Sequence, residues 1–445
     1  MKKVITYGTY DLLHQGHINL LRRAKELGDY LIVGVTADDF DRNRGKINVQ
    51  QSLMERIESV RMTGIVDEII IEEYEGQKID DIKRLEIDIF TVGSDWTGQF
   101  DYLKEFCQVI YLDRTQGISS TELRTEKNEL NIALVGESAI LNKFVRESHY
   151  INGIKLAALF SLNDSQLINE IKELPHYSHY PDVIKQCDAV YIASHPSQHY
   201  EQAKYALQNK KHVLCESPMC MSLNEWEDLQ TVAQANNCII MDAIKTAYST
   251  AYYRLLLLVK SGRIGDIVSV DTTCTSLSDL EQNKEKALSE TWSTITAWGP
   301  TALLPIFQIL GTNYNDKTVV TKLIPAPIKF DLFTKIAYIY PHAVASIKIG
   351  KGVKSEGELI ISGTKGYIYV PAPWWKTDFF ELRFENPQEN KRYFYQLEGE
   401  GIRYMLLNFV KAIQTKKKGI YINDMVSKGI IKEIEDFYTK DQIII

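Results

Sequence analysis

Gly8-Thr9-Tyr10-Asp11-Leu12-Leu13-His14-Gln15-Gly16-His17 is the stretch around which the chain is organised. The run before it, Lys3-Val4-Ile5-Thr6-Tyr7, reads as a short buried strand. Residues 18–27 read as a helix, with Leu20, Leu21 and Ala24 on one face. Two histidines three residues apart then stand where a strand turns into a helix. Free backbone N–H groups and the positive end of the helix dipole gather at such a place, which receives phosphate. Two histidines alone also suit a plain helix cap. Gly8, Thr9 and Gly16 at their spacings favour the phosphate reading.

The chain has 445 residues, and at roughly 150 per domain two or three domains are expected. Hydrophobic residues make up 44% and charged residues 24%, the balance of a soluble globular protein. A formal net charge of −7 argues against a nucleic-acid binder or a binder of anionic membranes. Substrate phosphates must then be met by local cationic pockets. Cys107, Cys187, Cys215, Cys220, Cys238 and Cys274 are scattered without a C-x-x-C pair. That fits a reducing, cytoplasmic location and predicts no metal site. The chain begins with a strand and no signal peptide. The apolar run from Leu255 to Val259 is far too short for membrane insertion.

Over the first 128 residues, apolar runs at 30–35, 68–71, 87–92 and 109–112 alternate with helical patterns at 52–64 and 77–85. This predicts a parallel sheet with helices on both faces and ligands at strand carboxyl ends. Clusters of polar residues fall at those ends. Asp38 is followed by Arg42, Arg44 and Lys46. Gly93-Ser94-Asp95-Trp96 suits a ribose or base edge beside an apolar wall, or equally a turn with a packed tryptophan. Arg114-Thr115-Gln116-Gly117-Ile118-Ser119-Ser120-Thr121 precedes a helical Glu122-Leu123-Arg124, so hydroxyls and N–H groups gather at another helix start.

H-x-G-H after a first strand, preceded by G-T-[FY]-D-L-L-H, resembles the nucleotidyltransferase superfamily. Within it the stretch is most similar to the glycerol-3-phosphate cytidylyltransferases. Glu55-Arg56, Arg61 and Val66-Asp67-Glu68 resemble that family's E-R-x-x-x-V-R-x-x-x-x-V-D-E stretch. Arg114 to Thr121 match its R-T-x-G-I-S-[ST]-T signature. The resemblance implies transfer of CMP from CTP to glycerol 3-phosphate or a related polyol phosphate, with release of pyrophosphate and with Mg2+ accompanying CTP. It implies catalytic roles for His14, His17 and Arg114. It assigns the nucleotide to Thr9, Tyr10, Asp11, Gly16, Asp95, Arg114, Thr115, Gly117, Ile118, Ser119, Ser120 and Thr121. Substrate phosphate falls to Arg56 and Lys46. Asp11 is also a candidate for orienting a histidine or a magnesium-bound water. The destination implied for a CDP-polyol is a bacterial surface polymer such as teichoic acid or capsule.

The second part begins a new alternation, with strands at 131–136, 156–160, 189–193, 212–215 and 238–241 and helices at 198–208 and 223–235. Asp188-Ala189-Val190-Tyr191-Ile192-Ala193, His199, Lys211-His212-Val213-Leu214-Cys215-Glu216-Ser217-Pro218 and Ser261-Gly262-Arg263-Ile264-Gly265 resemble the glucose–fructose oxidoreductase and inositol dehydrogenase family. The expected fold is α/β throughout. It comprises a Rossmann-like nucleotidyltransferase domain (1–128), a second Rossmann domain (129–248) and an α+β open-sheet domain (249–445).

The functional positions of that second family are substituted. A G-x-G-x-x-G loop would need glycines at Gly136, Ser138 and Leu141, and only the first is present. Glu137 adds an anion beside the place for phosphate, and Ser161 replaces the ribose-binding acid. The family's E-K-P lysine is Ser217, and its later histidine and acid fall on Thr301 and Leu304. Lys245 lies nearby in sequence. Two readings follow. In one, the second part reduces a keto-sugar phosphate with NAD(P)H and supplies the polyol phosphate. In the other, it has lost hydride transfer and serves as an assembly or ligand-sensing module. The substitutions favour the latter. A homo-oligomer is expected.

Overall fold

The structure is a computed structural model. It describes residues 1–37, 49, 51, 53–74, 76–113, 129–151, 153–163, 167–277, 293–324, 330–395, 397, 399–416 and 421–445. The chain forms two compact units, Met1–Glu129 with Tyr150–Gly153, and Leu130–His149 with Ile154–Ile445.

The first unit is built on β1 (Lys3–Gly8), β2 (Tyr30–Thr36), β3 (Glu68–Glu72), β4 (Ile89–Gly93) and β5 (Gln108–Leu112), in the order β3-β2-β1-β4-β5. Every pair is parallel. Successive residues of a strand point to opposite faces, so Val4 and Ile5 enter different cores. Val4 joins Leu21, Ala24, Ile57 and Val60, which come from α1 (Gln15–Lys25) and α2 (Leu53–Arg61). Ile5 joins Ile82, from α3 (Gln77–Leu85), with Phe90 and Leu103. Both faces are covered, which is why the strands read as unbroken apolar runs. Strand order reverses between β1 and β4, and the loops leaving those two strands sit at one edge of the sheet, the usual ligand position of such folds.

Two expected boundaries shift for local reasons. The strand expected from residue 87 starts at Ile89, because the Asp88 carboxylate accepts from the Lys3 N–H at 2.7 Å and closes the strand end. The helix expected from residue 18 starts at Gln15, because His14 caps it. The helical segment expected at 122–124 lies outside the described residues.

The second unit holds two sheets. One is parallel and contains β6 (Leu130–Gly136), β7 (Ile154–Phe160), β8 (His176–Tyr177), β9 (Ala189–Ala193), β10 (His212–Cys215) and β11 (Ile240–Asp242), in the order β11-β10-β9-β6-β7-β8. The other is a mixed nine-stranded sheet from β12 (Ile267–Thr275) to β20 (Ile443–Ile444), in which β12 pairs parallel with β15 (Val344–Gly350) and antiparallel with β16 (Leu359–Gly363). The Rossmann sheet and the open sheet are those expected. The boundary expected at 248/249 falls inside this one compact unit.

All six cysteines are free thiols, five of them buried. Among the described residues no helix is long and apolar enough to cross a membrane.

Gly136, at the end of β6, has φ +119°, and a Cβ there would lie 2.3 Å from the Ser194 N and 2.4 Å from the Ala193 carbonyl carbon. The glycine is therefore required by the backbone of the adjacent strand end. Gly136→Ala is expected to destabilise the second unit by about 2 kcal/mol or more. Scanning calorimetry of the full chain checks this, and an unmoved transition would show that the backbone has room there.

Candidate active site

The loop from β1 to α1 turns sharply. Tyr10 and Leu12 have φ of 53° and 48°, in the left-handed region that side chains other than glycine enter at a cost of about 1–3 kcal/mol each. The Tyr10 ring folds back over Gly8, where a Cβ would come within 3.0 Å of it. The same ring meets His17 edge-on at 5.4 Å between centroids. His14 is the N-cap of α1, and its Nδ1 accepts from the Gly16 N–H at 3.1 Å. Because Nδ1 is the acceptor, the proton of a neutral His14 resides on Nε2. His17, one turn into the helix, stacks on His14 with ring centroids 3.9 Å apart and planes 20° from parallel. Two imidazoles thus flank the N-terminal turn of an eleven-residue helix. Arg22, Arg23 and Lys25 in its last turn complement the other end of the dipole.

Buried groups hold the strained loop. Arg56 on α2 is 0% exposed. Its Nη1 donates to the carbonyls of Thr9 at 2.8 Å and Thr36 at 2.9 Å, and its Nε to that of Gln51 at 3.2 Å. Asp11 is fully buried as well, and its Oδ1 accepts from the Gln51 N–H at 2.9 Å. Gln51 Oε1 in turn accepts from the Leu12 N–H at 2.8 Å.

These contacts place two of the expected ligand-binding residues in the scaffold of the loop. Arg56, expected at substrate phosphate, has an enclosed guanidinium that donates to backbone carbonyls and so bears on the loop. Asp11, expected at the nucleotide or orienting a histidine or a magnesium-bound water, has an enclosed carboxylate that accepts from the Gln51 N–H. Thr9 and Tyr10 are buried too, and Tyr10 positions His17.

Asp95 is exposed on a single 3-10 turn, Ser94–Trp96, after β4, at the sheet edge that carries the histidines. Trp96 beside it packs on Phe100, with ring centroids 5.9 Å apart. Lys46, Arg114, Thr115, Gly117, Ile118, Ser119, Ser120 and Thr121 lie outside the described residues.

Sequence reading passed over Gln51, which has no distinguishing pattern. It also missed the Lys78–Glu72 ion pair at the end of β3, in which the buried Glu72 accepts as well from the Thr36 hydroxyl at 3.1 Å. The signal was the charged Glu72 closing an apolar strand. Among the described residues no cluster of His, Cys, Asp or Glu is arranged to hold a metal ion.

The second unit was tested for a dinucleotide seat. Leu141, where a third glycine would stand, is fully buried in α4 (Ile140–Ser148). The Ser161 hydroxyl donates to the Asn163 carbonyl at 3.0 Å. Leu304 is fully buried in the helix Thr294–Leu310. These residues do not make the G-x-G-x-x-G seat or supply the family's lysine and histidine, so no hydride-transfer step is derived for this unit. Glu216, beside Ser217, accepts from the Tyr191 hydroxyl, and burial pushes its carboxyl up to about 7.

A strand, a tight loop and a capped helix carrying paired histidines, set where the order of a five-stranded parallel sheet reverses, define a nucleotidyltransferase. The family model for cytidylyltransferase-like proteins matches residues 5–126. Glycerol-3-phosphate cytidylyltransferase of Staphylococcus aureus is 52% identical over 130 residues, 28% of this chain and 95% of that protein. Its counterpart from Bacillus spizizenii is 50% identical over 130 residues, 29% of this chain and 100% of that protein. Through its first unit the chain belongs to the glycerol-3-phosphate cytidylyltransferase family.

The model for the oxidoreductase family with an NAD-binding Rossmann fold matches residues 130–243. A 3-ketoreductase from Actinomadura kijaniata, solved with NADP and TDP-benzene, aligns with 72% of this chain and 100% of its own at a TM-score of 0.62 and 13% identity, a likeness of fold.

Two outcomes test these assignments. Arg56→Met leaves buried carbonyls without a donor and is expected to cost roughly 2–4 kcal/mol of first-unit stability, read by denaturant titration of the full chain. Unchanged stability would return Arg56 to the substrate side. Glu216 binds its proton more tightly folded than unfolded. The stability it gives is full below 4.5 and is lost as pH rises to about 7, on the order of 3 kcal/mol in all. Glu216→Gln should remove that part of the pH dependence. Parallel unfolding curves for the two proteins from pH 5 to 8 would refute the assignment.

Proposed function

We propose that the first unit transfers CMP from CTP, taken with Mg2+, to glycerol 3-phosphate or a related polyol phosphate. A phosphate oxygen of the acceptor forms a new bond to the α-phosphorus of CTP. The bond to the β-phosphate bridging oxygen breaks, and pyrophosphate leaves in line. The acceptor dianion needs no base, so the protein's task is positioning and charge stabilisation. His14 donates from Nε2, because its Nδ1 is held by the Gly16 N–H. His17, stacked on it, donates beside it as charge builds on the phosphate oxygens. The N-terminal turn of α1 adds its own N–H groups. Arg114 and the residues to Thr121 are assigned to the triphosphate by their match to the family's signature.

The stacked histidine pair at the capped helix start carries this reading, and the 52% identity to a glycerol-3-phosphate cytidylyltransferase supports the acceptor class. A CDP-polyol made this way serves synthesis of a bacterial surface polymer such as teichoic acid or capsule. The second unit, with Ser217, Thr301 and Leu304 at the positions of the oxidoreductase family's acid–base groups, is proposed to do no hydride transfer.

His17→Ala is expected to lower pyrophosphate release from CTP and glycerol 3-phosphate at least a hundredfold, roughly the range for losing an acid–base or electrostatic group, with the melting curve intact. Undiminished turnover would sink the site assignment.

A further inference from the structure

Outside the proposed active site, a second cluster of charge is assembled from four separate segments of the second unit. Lys143 comes from α4, which follows β6. Lys245 opens the 3-10 turn Lys245–Tyr248, which follows β11. Lys376 ends the turn Trp374–Lys376, between the open-sheet strands Tyr367–Val370 and Phe379–Arg383. All three ammonium groups converge on the carboxylate of Glu400. Lys143 Nζ lies 3.1 Å from Oε1 and Lys245 Nζ 3.1 Å from Oε2, and Lys376 Nζ bonds to Oε2 as well.

The fourth segment is shaped to deliver that carboxylate. Gly399 and Gly401 flank Glu400 with φ of 63° and 80°. A Cβ at Gly399 would lie 2.8 Å from the Glu147 carboxyl carbon. The buried Glu147 accepts from the Glu400 N–H at 2.6 Å and from the Arg403 N–H at 2.9 Å. The loop is thus wrapped around Glu147 and holds Glu400 among the lysines.

Cations outnumber anions here even with the neighbouring acids counted: Glu147 is matched by Arg403, whose Nε lies 3.6 Å from it, and Glu216, which faces Lys245, has its carboxyl pushed up to about 7 by burial. Three ammonium groups share the Glu400 carboxylate, Lys245 22%, Lys376 32% and Lys143 43% exposed, so the cluster is enclosed at Lys245 and opens to solvent at Lys143. Partly enclosed charge without a partner is costly. Burial lowers the Lys245 ammonium's affinity for its proton, and the nearby Lys376 lowers it further. Burial works against ionisation of Glu400, yet hydrogen bonds from Lys376 and Lys143 and the charge of Lys245 bring its carboxyl down to about 2. A dianion is the ligand that neutralises such a surplus. Ammonium groups on flexible stems suit phosphate as point charges.

We propose that Lys143, Lys245 and Lys376 bind the phosphate of a small phosphomonoester, with Glu400 as the internal counter-ion that the ligand displaces. The site is independent of hydride transfer and of the cytidylyl-transfer site. It makes the second unit a binding module for the kind of compound the first unit is proposed to consume.

Isothermal titration of the full chain with glycerol 3-phosphate, without CTP, tests this. The wild-type chain is expected to take up one more equivalent than Lys245→Gln/Lys376→Gln, while the variant keeps its rate of pyrophosphate release. Glu400→Gln removes the competing carboxylate and should tighten the extra site about tenfold. Lys245→Arg/Lys376→Arg should retain it. Equal stoichiometry in wild type and double glutamine variant overturns the proposal, as does a Glu400→Gln chain that loses the extra equivalent. Inorganic phosphate should compete for the site, and a site that takes inorganic phosphate but excludes the ester overturns the ligand class. Binding is read without turnover, so loss of cytidylyl transfer and loss of this site are separate results.

Discussion

The candidate active site depends on one buried guanidinium. Arg56 draws the carbonyls of Thr9 and Thr36, the ends of two neighbouring strands, to a single nitrogen and reaches Gln51 with another. The loop between β1 and α1 contains two non-glycine residues in left-handed conformation, and such strain persists only where surrounding contacts over-determine it. Arg56, Asp11 and Gln51 supply that determination. A guanidinium suits the task better than an amine, because its planar donors are fixed relative to each other and it does not lose its charge on burial. The direction of α1 follows from the loop, and the placing of His14 and His17 follows from α1.

Scaffold and chemistry are therefore separate layers within ten residues. Tyr10, Asp11 and the Thr9 carbonyl face inward, where they meet ring, amide and guanidinium. The histidines stand at the open end of the helix. His14 belongs to both layers, since its Nδ1 closes the helix start and its ring is the one proposed to act on phosphate. The second unit shows a different separation. Its Rossmann sheet is intact and its core complete, yet the side chains that give this architecture its usual chemistry are replaced. Fold and activity are independent properties of a chain.

Strand order, helix faces and the two-sheet second unit were legible because burial on both faces leaves unbroken apolar runs and burial on one face leaves a helical stripe. The histidine pair was legible because its glycines and spacing admit few other geometries. The enclosure of Arg56 and Asp11 left no mark in the sequence. A charged residue in a motif looks the same in sequence whether it meets solvent, ligand or a buried carbonyl, and only three-dimensional enclosure decides. Gln51 gave no signal, because it acts through two backbone contacts that any polar residue of its length might mimic on paper. The lysines around Glu400 were illegible for another reason. They are separated by more than a hundred residues in places and share no periodicity, so only the packing of both sheets in one unit brings them together.

Gly136 shows that a residue of a ligand motif can be required by the fold alone. Its hydrogen side chain is demanded by the Ala193–Ser194 backbone, 2.3 Å from where a methyl group would begin. Ser138 and Leu141, at the other two fingerprint positions, carry side chains. The first glycine of the fingerprint is thus held in place by the neighbouring strand, whatever the loop after it binds. Its presence testifies to the crossing of two strands' ends and is silent about any cofactor.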